Sequence, residues 1–233
     1  MRKYDVVLLD AQGTLLRAHP SVPAIYADVC RRSGAVVSHR EVGEAVRELW
    51  TEFRRSREGQ TAACDTSDEA TREWWAAFNT SVFHRLGMRE NLDRFLEELW
   101  EVFGQARNWR LYPEVQEVLT ELRRRGYRLG VVSNWDSRLV SICESLGLAA
   151  HMDFILASAA AGMEKPDRRI FEIALARAAV PPRRAIHVGD DYEADVLGAR
   201  GAGVDAVLVD RDGTSLTDGP TIRSLVELLR ILT

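Results

Sequence analysis

Residues 4–14 read YDVVLLDAQGT, and this stretch decides the fold. It is a short apolar run that ends at an acid, Asp10, and is soon followed by the turn residue Gly13. A run of this kind, bounded by turn residues, is typical of a strand that is buried on both faces of a parallel sheet. The start of the chain therefore predicts a strand rather than a signal peptide. Side chains that follow such a strand lie at its carboxyl end, where open parallel sheets bind ligands.

Four later runs have the same character and predict four more strands, over residues 127–132, 153–157, 184–188 and 204–209. Segments with helical spacing separate most of them, over residues 113–125, 136–146, 167–179 and 191–200, and a final helix is predicted over 221–232. Alternation of strand and helix is the signature of a parallel sheet with crossover helices. The sequence thus predicts an α/β fold with a Rossmann-like core.

Residues 17–108 break this alternation. They contain no convincing strand but several amphipathic stretches, one of which begins with the capping box formed by Ser38 and Glu41. Four of the six tryptophans lie here, at positions 50, 74, 75 and 100, and they predict a separate core of large aromatic side chains. We predict a core made of residues 1–16 and 109–233, interrupted by an all-helical domain over residues 17–108.

Composition narrows the possible classes of protein. The chain has 233 residues, 46% of them hydrophobic and 28% charged, which suits one large α/β domain or a domain with an insert. A net charge of −4 without a basic stripe argues against a nucleic-acid partner. No apolar run approaches the ~18 residues that a membrane span needs. The cysteines Cys30, Cys64 and Cys143 are few and unclustered, which indicates a reducing compartment. We expect a cytoplasmic monomer or homodimer.

Residues able to do chemistry follow the first four predicted strands. They are Asp10, Gln12, Gly13 and Thr14, then Ser133 and Asn134, then Lys165, then Asp190 and Asp195. A carboxylate can attack phosphorus, two acids can hold Mg²⁺, and a hydroxyl and a lysine can balance the charge of the transferring group. Only two of the 31 basic residues are lysines, Lys3 and Lys165, so a lysine at this edge of the sheet is informative. The set predicts phosphoryl transfer.

These motifs, in this order, resemble those of the haloacid dehalogenase superfamily, and specifically its members with an inserted helical cap of the first type. The resemblance covers essentially the whole chain. It implies that a cap opens and closes around two strands near residues 15–20 and 107–111. It implies that Asp10 is the nucleophile and that Lys165 stabilises both the nucleophile and the phosphoryl oxygens. It also implies that the hydroxyls of Thr14 and Ser133 bind phosphate. Asn134 is expected to bind substrate too, and Gly13 lets the backbone approach the phosphate closely.

The same resemblance implies a magnesium site and a small phosphorylated substrate. Asp10 and Asp190 are the expected carboxylate ligands of Mg²⁺, and Asp195 is the further acid near the metal. Gln12 is expected to contribute its backbone carbonyl oxygen. Asp191 stands where close relatives carry serine or asparagine, and no role is predicted for it.

Residues 210–214 read DRDGT and fit the first motif of the family better than residues 10–14 do. They follow the last strand of the predicted core, and only 19 residues lie beyond them. The serine and lysine motifs would then precede the nucleophile, against the order of the family. We therefore predict a turn-rich loop before the last helix.

Gln12 is the main departure from the family pattern. Phosphatases of the family carry a second aspartate at this position, which protonates the leaving group and later activates water. Glutamine exchanges no proton near neutral pH, and general acid–base catalysis is worth roughly 10²–10⁴ in rate. His19, Glu164 or a group on the substrate would have to replace the acid. The other interpretation is an impaired protein that binds a phosphorylated ligand without turning it over.

Relatives that lack this aspartate suggest further interpretations. The L-2-haloacid dehalogenases have a similar first motif and use no metal, but Asp190 would repel the carboxylate of their substrates. Phosphonoacetaldehyde hydrolases need a lysine in the cap, and residues 17–108 contain none. The nearest resemblance is to the haloacid dehalogenase-like hydrolase domain-containing branch, often called REG-2-like, whose members also lack the second aspartate.

Two further sets of residues have alternative interpretations. The arginines of the predicted helical domain at positions 54, 55 and 57 either contact an anionic group of the substrate or form a solvated helix face. His187, within the fourth predicted strand, is interpreted as a packed core histidine.

Overall fold

The computed structural model describes residues 2–57, 65–214, 217 and 219–232, with the backbone alone described at residues 54–57. In this part of the chain, six parallel strands form one sheet in the order β5-β4-β1-β6-β7-β8. The strands are β1 (Val6–Leu9), β4 (Arg128–Ser133), β5 (Phe154–Ala157), β6 (Ala185–Gly189), β7 (Asp205–Val209) and β8 (Thr221–Ile222). The predicted parallel α/β sheet is confirmed.

Helices cover both faces of this sheet. They are α5 (Val115–Arg124), α6 (Arg138–Ser145), α7 (Ser158–Ala161), α8 (Arg168–Ala178), α9 (Gly198–Gly201) and α10 (Leu225–Ile231). All four residues of β1 are fully buried. Val7 and Leu9 belong to the core on one face of the sheet, whereas Val6 and Leu8 belong to the core on the other. Strand alternation thus explains why the run around β1 is continuously apolar.

Between β1 and β4 the chain forms a helical insert, which consists of the helices α1 (Val22–Arg32), α2 (His39–Arg57), α3 (Asp68–Arg85) and α4 (Leu92–Phe103). Two short antiparallel strands, β2 (Leu16–Ala18) and β3 (Trp109–Leu111), connect the insert to the sheet. The pattern of residues 17–108 indicates no strand at Arg17 and Ala18 and is wrong there, whereas the two strands that the family resemblance implies near residues 15–20 and 107–111 are confirmed. Three residues are too few to show an alternating pattern, and the pairing partner lies some ninety positions further along the chain.

The insert has its own core, as its tryptophans predict. Trp50 and Trp75 lie with their ring centroids 5.7 Å from that of Phe78, and Trp74 lies at 5.9 Å. Pairs of this kind add about 0.5–1.5 kcal/mol beyond the area that they bury. The capping box before α2 is also confirmed, because the backbone N–H of Glu41 donates to the Ser38 hydroxyl at 3.2 Å and Ser38 N–H donates back to the Glu41 carboxylate at 2.9 Å.

The last helix begins later than its pattern predicts. Residues 221–222 form β8, which pairs with β7 along the open edge of that strand. Ser224 and Glu227 then form a second capping box, and the helix runs only from Leu225 to Ile231. The sheet edge offers unpaired backbone groups, so tertiary pairing overrides the local helical pattern.

The helical insert packs against the carboxyl end of the sheet. Asp68 at the start of α3 accepts hydrogen bonds from the backbone N–H and the hydroxyl of Ser137, at 2.8 and 2.5 Å. The Thr66 hydroxyl donates to the backbone carbonyl of Ser158 at 2.9 Å. Ser137 and Ser158 lie just after β4 and β5, so the insert stands next to the ends of these strands. Among the described helices, none is both long and apolar enough to cross a membrane.

Candidate active site

The order of the strands brings the predicted site residues together. Strand β1 pairs with β4 on one side and with β6 on the other, so the strand order reverses at β1. Such a switch point opens a crevice at the carboxyl ends of the strands. Asp10 follows β1, Ser133 ends β4, and Asp190 follows β6. Three segments that are far apart in sequence thus meet at one edge of the sheet.

A buried lysine lies between two buried aspartates at this edge. Nζ of Lys165 donates to Oδ1 of Asp10 at 2.6 Å and to Oδ1 of Asp195 at 2.5 Å. The three residues are at most 6% exposed. Burial alone would lower the pKa of Lys165, but the two carboxylates raise it above its ordinary value. The ammonium group therefore stays charged and holds Asp10 in place.

The pKa values of the two aspartates shift in opposite directions. Burial raises the pKa of Asp10 above its ordinary value, although Lys165 and a hydrogen bond with Ser133 oppose the change. Burial would also raise the pKa of Asp195, but the Lys165 ammonium and the hydrogen bond with His187 hold it well below its usual range. Asp195 is thus a fixed anion that keeps Lys165 charged.

Asn134 supports Lys165 through the backbone. Its amide nitrogen donates to the Lys165 carbonyl at 2.8 Å, and its amide oxygen accepts the Lys165 N–H at 2.7 Å. The predicted contact of Asn134 with substrate stays a prediction, since both ends of its amide already bind the backbone of Lys165. The structure thus gives Asn134 a positioning task that the sequence did not indicate.

His187 is fully buried and lies edge-on to the Phe171 ring, with the ring centroids 5.1 Å apart. The predicted packed core histidine is confirmed. It also has a contact that the sequence analysis missed, because Nε2 of His187 lies 2.8 Å from Oδ1 of Asp195. The neighbouring Gly189 allows this approach, since a Cβ atom there would lie 2.1 Å from Cγ of Asp195. No local pattern signals this contact, because Asp195 lies in the short helix after β6 rather than in the strand.

Asp190 is an exposed residue at the rim of the site, and its carboxylate lies against Gly13 and Thr14 of the first motif. The Thr14 hydroxyl donates to Oδ1 of Asp190 at 3.4 Å. Gly13 adopts a φ of +81°, and a Cβ atom there would lie 2.2 Å from Oδ2 of Asp190. Only glycine satisfies both the backbone angle and the close approach. Loss of water around its carboxylate, together with repulsion by Asp10 and Asp195, raises the pKa of Asp190.

The donor set fits a hard divalent cation. Carboxylate oxygens of Asp10, Asp190 and Asp195 all lie within 4.8 Å of one another. Three carboxylates against one ammonium leave an excess of two negative charges when all are ionised. Mg²⁺ prefers such oxygen ligands and is bound by a few protein groups together with substrate phosphate. Asp195 already accepts hydrogen bonds from Lys165, His187 and the Asp191 N–H, so the freest ligands are Asp10 and Asp190.

The remaining predicted residues lie outside this cluster or at its edge. Gln12 is exposed, and Glu164 is half-buried beside Lys165. His19 is exposed, and in the described part of the chain no hydrogen bond or ion pair joins its side chain to the cluster. The arginine side chains at positions 54, 55 and 57, interpreted as either anion contacts or a solvated helix face, lie outside the part that the structure describes.

A parallel sheet with a carboxylate cluster and a buried lysine at the end of its first strand is the architecture of one class of hydrolases. A model of the haloacid dehalogenase-like hydrolase family matches residues 4–203, and the chain belongs to this family. The resemblance found in the sequence is confirmed.

Two relatives illustrate where the chain stands in the family. It is 45% identical over 107 residues to haloacid dehalogenase-like hydrolase domain-containing protein 3 of Bos taurus, a match that covers 46% of this chain and 43% of the relative. It is 45% identical over 112 residues to a phosphoserine phosphatase of Thermus thermophilus, covering 47% and 44%. Each match thus spans less than half of either protein.

Solved structures resemble the chain over nearly its whole length. The HAD-hydrolase YfnB of Bacillus subtilis, whose structure is bound to magnesium, has a TM-score of 0.80 at 19% identity and covers 99% of both chains. A HAD phosphatase of Thermococcus onnurineus has a TM-score of 0.65 at 26% identity, covering 98% and 97%. The L-2-haloacid dehalogenase RSc1362 has a TM-score of 0.78 at 19% identity over 99% of each chain. The first and last of these show the fold alone.

Proposed function

We propose that this chain is a cytoplasmic, Mg²⁺-dependent phosphatase of a small phosphorylated metabolite that acts through an aspartyl-phosphate at Asp10. The observation that carries the proposal is the unbalanced charge at the end of β1, where three aspartates cluster and one lysine pairs with two of them. A dianionic phosphate cannot enter such a site unless a divalent cation accompanies it. A cation held by Asp10 and Asp190 resolves this conflict and makes the site specific for phosphate with metal.

Asp10 is suited to nucleophilic attack because one of its oxygens is fixed. Oδ1 accepts the hydrogen bond from Lys165, which leaves Oδ2 to attack phosphorus. As the bond from Oδ2 to phosphorus forms, the bond from phosphorus to the ester oxygen breaks, and that oxygen leaves with the rest of the substrate. Lys165 then balances charge on the transferring group, and the hydroxyls of Thr14 and Ser133 hold its oxygens. When bound, Mg²⁺ would neutralise charge on the phosphoryl oxygens, with Asp10, Asp190 and the Gln12 carbonyl as its protein ligands. Water then hydrolyses the aspartyl-phosphate and regenerates Asp10.

Gln12 determines which substrates suit this site. Because it supplies no proton, the leaving oxygen must depart with little protonation or take a proton from elsewhere. Phosphate esters of acidic hydroxyl groups, such as phenols, are therefore the best substrates. Glu164 and His19 are the nearest replacements that the sequence suggests, and Glu164 directly precedes Lys165 in the chain.

A second candidate function follows from Gln12 as well. A protein with the same cluster and no proton donor would bind phosphate and Mg²⁺ tightly but release no product, and it would act as a ligand-dependent partner for another protein. Dehalogenation fits the site less well, because the negative rim at Asp190 repels a substrate carboxylate.

The test is hydrolysis of p-nitrophenyl phosphate with and without Mg²⁺. Its acidic leaving group needs little protonation and bypasses the missing acid. We expect turnover that requires Mg²⁺ and is abolished in Asp10→Asn, with a further gain in Gln12→Asp. Phosphate binding without hydrolysis, in both the natural protein and Gln12→Asp, would favour the binding function. Neither binding nor hydrolysis by folded protein would refute both.

A further inference from the structure

Residues 210–214, the stretch that fits the first motif of the family, lie beside the candidate active site. The carboxylate of Asp210 is hydrogen-bonded within its own turn. Its Oδ1 accepts the backbone N–H groups of Gly213 and Thr214, at 3.0 and 3.2 Å, and its own N–H donates to the Ile222 carbonyl at 2.8 Å. The predicted turn-rich loop is confirmed. The turn leaves the intervening residue, Arg211, projecting from the end of β7.

Arg211 is bound to the nucleophile loop, which we define as residues 10–14. Its Nε donates to the Gly13 carbonyl at 2.9 Å, and its Nη2 donates to the Thr14 carbonyl at 2.6 Å. The guanidinium carbon lies 3.4 Å from the centroid of the Tyr112 ring. The side chain is only 18% exposed. A planar, always-charged group with donors in a fixed fork suits this task, and a lysine could not make the same contacts.

The far side of the guanidinium is anchored as well. Its Nη1 donates to Oε1 of Glu114 at 2.8 Å. The same oxygen accepts the Ser224 hydroxyl at 3.2 Å and the Leu225 N–H at 3.4 Å. Glu114 and Tyr112 follow strand β3, and Leu225 begins α10. Arg211 therefore ties the nucleophile loop to two elements that do not carry catalytic groups themselves.

We propose that Arg211 is a positioning residue that sets the conformation of the nucleophile loop for phosphate binding, an inference that rests on the proposed phosphatase function. The carbonyl and N–H of a trans peptide point in opposite directions. Because Arg211 draws the Gly13 carbonyl toward itself, the N–H of Thr14 is turned the other way and can donate to a phosphate oxygen. The fixed positive charge behind the loop also favours the negative charge of the transferring group.

The test compares Arg211→Lys and Arg211→Ala with the control Arg183→Lys, which changes an exposed arginine before β6. With p-nitrophenyl phosphate and saturating Mg²⁺, we expect the kcat of Arg211→Lys to fall about tenfold or more while KM changes less than about threefold, since charged hydrogen bonds to the loop are lost. Inhibition by orthovanadate should weaken in proportion to kcat/KM. Guanidinium ion at tens of millimolar should restore part of the activity of Arg211→Ala.

The outcomes separate this inference from the proposed function. All assays are run at a temperature at which circular dichroism shows every variant to be folded. If Arg211 has a purely structural role, its replacement lowers the melting temperature but leaves kcat and vanadate inhibition as in the natural protein. Guanidinium ion would then have no lost activity to restore. If Arg211→Lys turns over within twofold of the natural protein, the positioning role is refuted and the phosphatase stands. If the natural protein neither hydrolyses the substrate nor binds vanadate with Mg²⁺, the phosphatase proposal fails and the inference fails with it.

Discussion

Replacement of Lys165 by methionine should strongly destabilise the fold, because it removes the only buried cation of the described cluster. Lys165 lies 2.6 Å from Asp10 and 2.5 Å from Asp195. At an effective dielectric constant of about 20, each pair would be worth roughly 6 kcal/mol by Coulomb's law, and the cost of burying the charges offsets much of that sum. Removing one member of a buried ion pair typically costs about 3–5 kcal/mol, and we expect a loss in that range.

The measurement is urea or thermal unfolding in EDTA, followed by circular dichroism. A loss of 3–5 kcal/mol lowers the melting temperature of a chain of this size by about 6–20 °C. The matched control is Lys3→Met, since Lys3 also pairs with an aspartate, Asp205, at 2.8 Å, but its side chain is 68% exposed. Exposed pairs are worth about 0–1 kcal/mol. Equal effects of the two substitutions would refute the reasoning.

The pH dependence of the variant gives a second readout. Lys165 lowers the pKa values of Asp10 and Asp195, so its loss leaves two buried carboxylates whose pKa values lie above those of the unfolded chain. The folded variant then binds protons more tightly than the unfolded chain, and deprotonation favours unfolding. The stability of Lys165→Met should therefore fall as the pH rises from about 5 to 8. In the natural protein, Asp10 and Asp190 also have raised pKa values and lower the stability as the pH rises. The fall should nevertheless be smaller than in the variant, because Asp195 of the natural protein has a lowered pKa and is ionised throughout. A parallel pH dependence of both proteins would contradict this account.

Three further perturbations address the metal site and the helical insert. Gly13→Ala should abolish Mg²⁺-dependent turnover, because its Cβ would overlap Asp190, whereas Gly34→Ala, at a φ of +83° with nothing within 4 Å, should only lower the melting temperature slightly. Asp190→Asn should stabilise the metal-free protein by about 1 kcal/mol at pH 7.5, since it removes a repelled carboxylate that water partly screens, and it should abolish the rise in melting temperature that we expect Mg²⁺ to give the natural protein. Arg138→Ala removes a guanidinium 3.5 Å from the Trp100 ring centroid, so hydrogen exchange in α4 should become faster and tryptophan fluorescence should shift; unchanged exchange would show that this contact does not hold the insert.

The sheet and the main members of the site were predictable because each has a local signature. A buried parallel strand is a continuous apolar run, and the residue after it is placed by the strand itself, as Asp10 and Asp190 are. Strands β2 and β8 have no such local signature, and only β2 is expected from the resemblance to the family. Each has two or three residues and exists because a distant segment offers backbone hydrogen bonds, as Thr221 and Ile222 pair with the edge of β7.

The contacts that support the site residues were even harder to predict from the sequence. His187 reads as an ordinary core residue because its hydrogen bond reaches Asp195, which is fixed by the short helix after β6 rather than by the strand. Arg211 lies in a stretch whose pattern imitates the nucleophile motif. Only the order of the motifs identifies it as a loop, and no local pattern shows that it reaches the carbonyls of Gly13 and Thr14.

The site has an inner and an outer half. The glutamine at position 12, where phosphatases of the family carry an aspartate, affects the two halves differently. The inner half consists of Lys165, Asp195 and Asn134, and its hydrogen bonds are made within the protein. The outer half, around Asp190, is exposed and negatively charged, and in the proposed function a cation and an anionic ligand would complete it. Gln12 belongs to the outer half and removes a proton donor without disturbing the inner one. Binding of metal and phosphate should therefore persist whatever the rate of turnover, which is why vanadate and Mg²⁺ affinities test the site even where hydrolysis is slow.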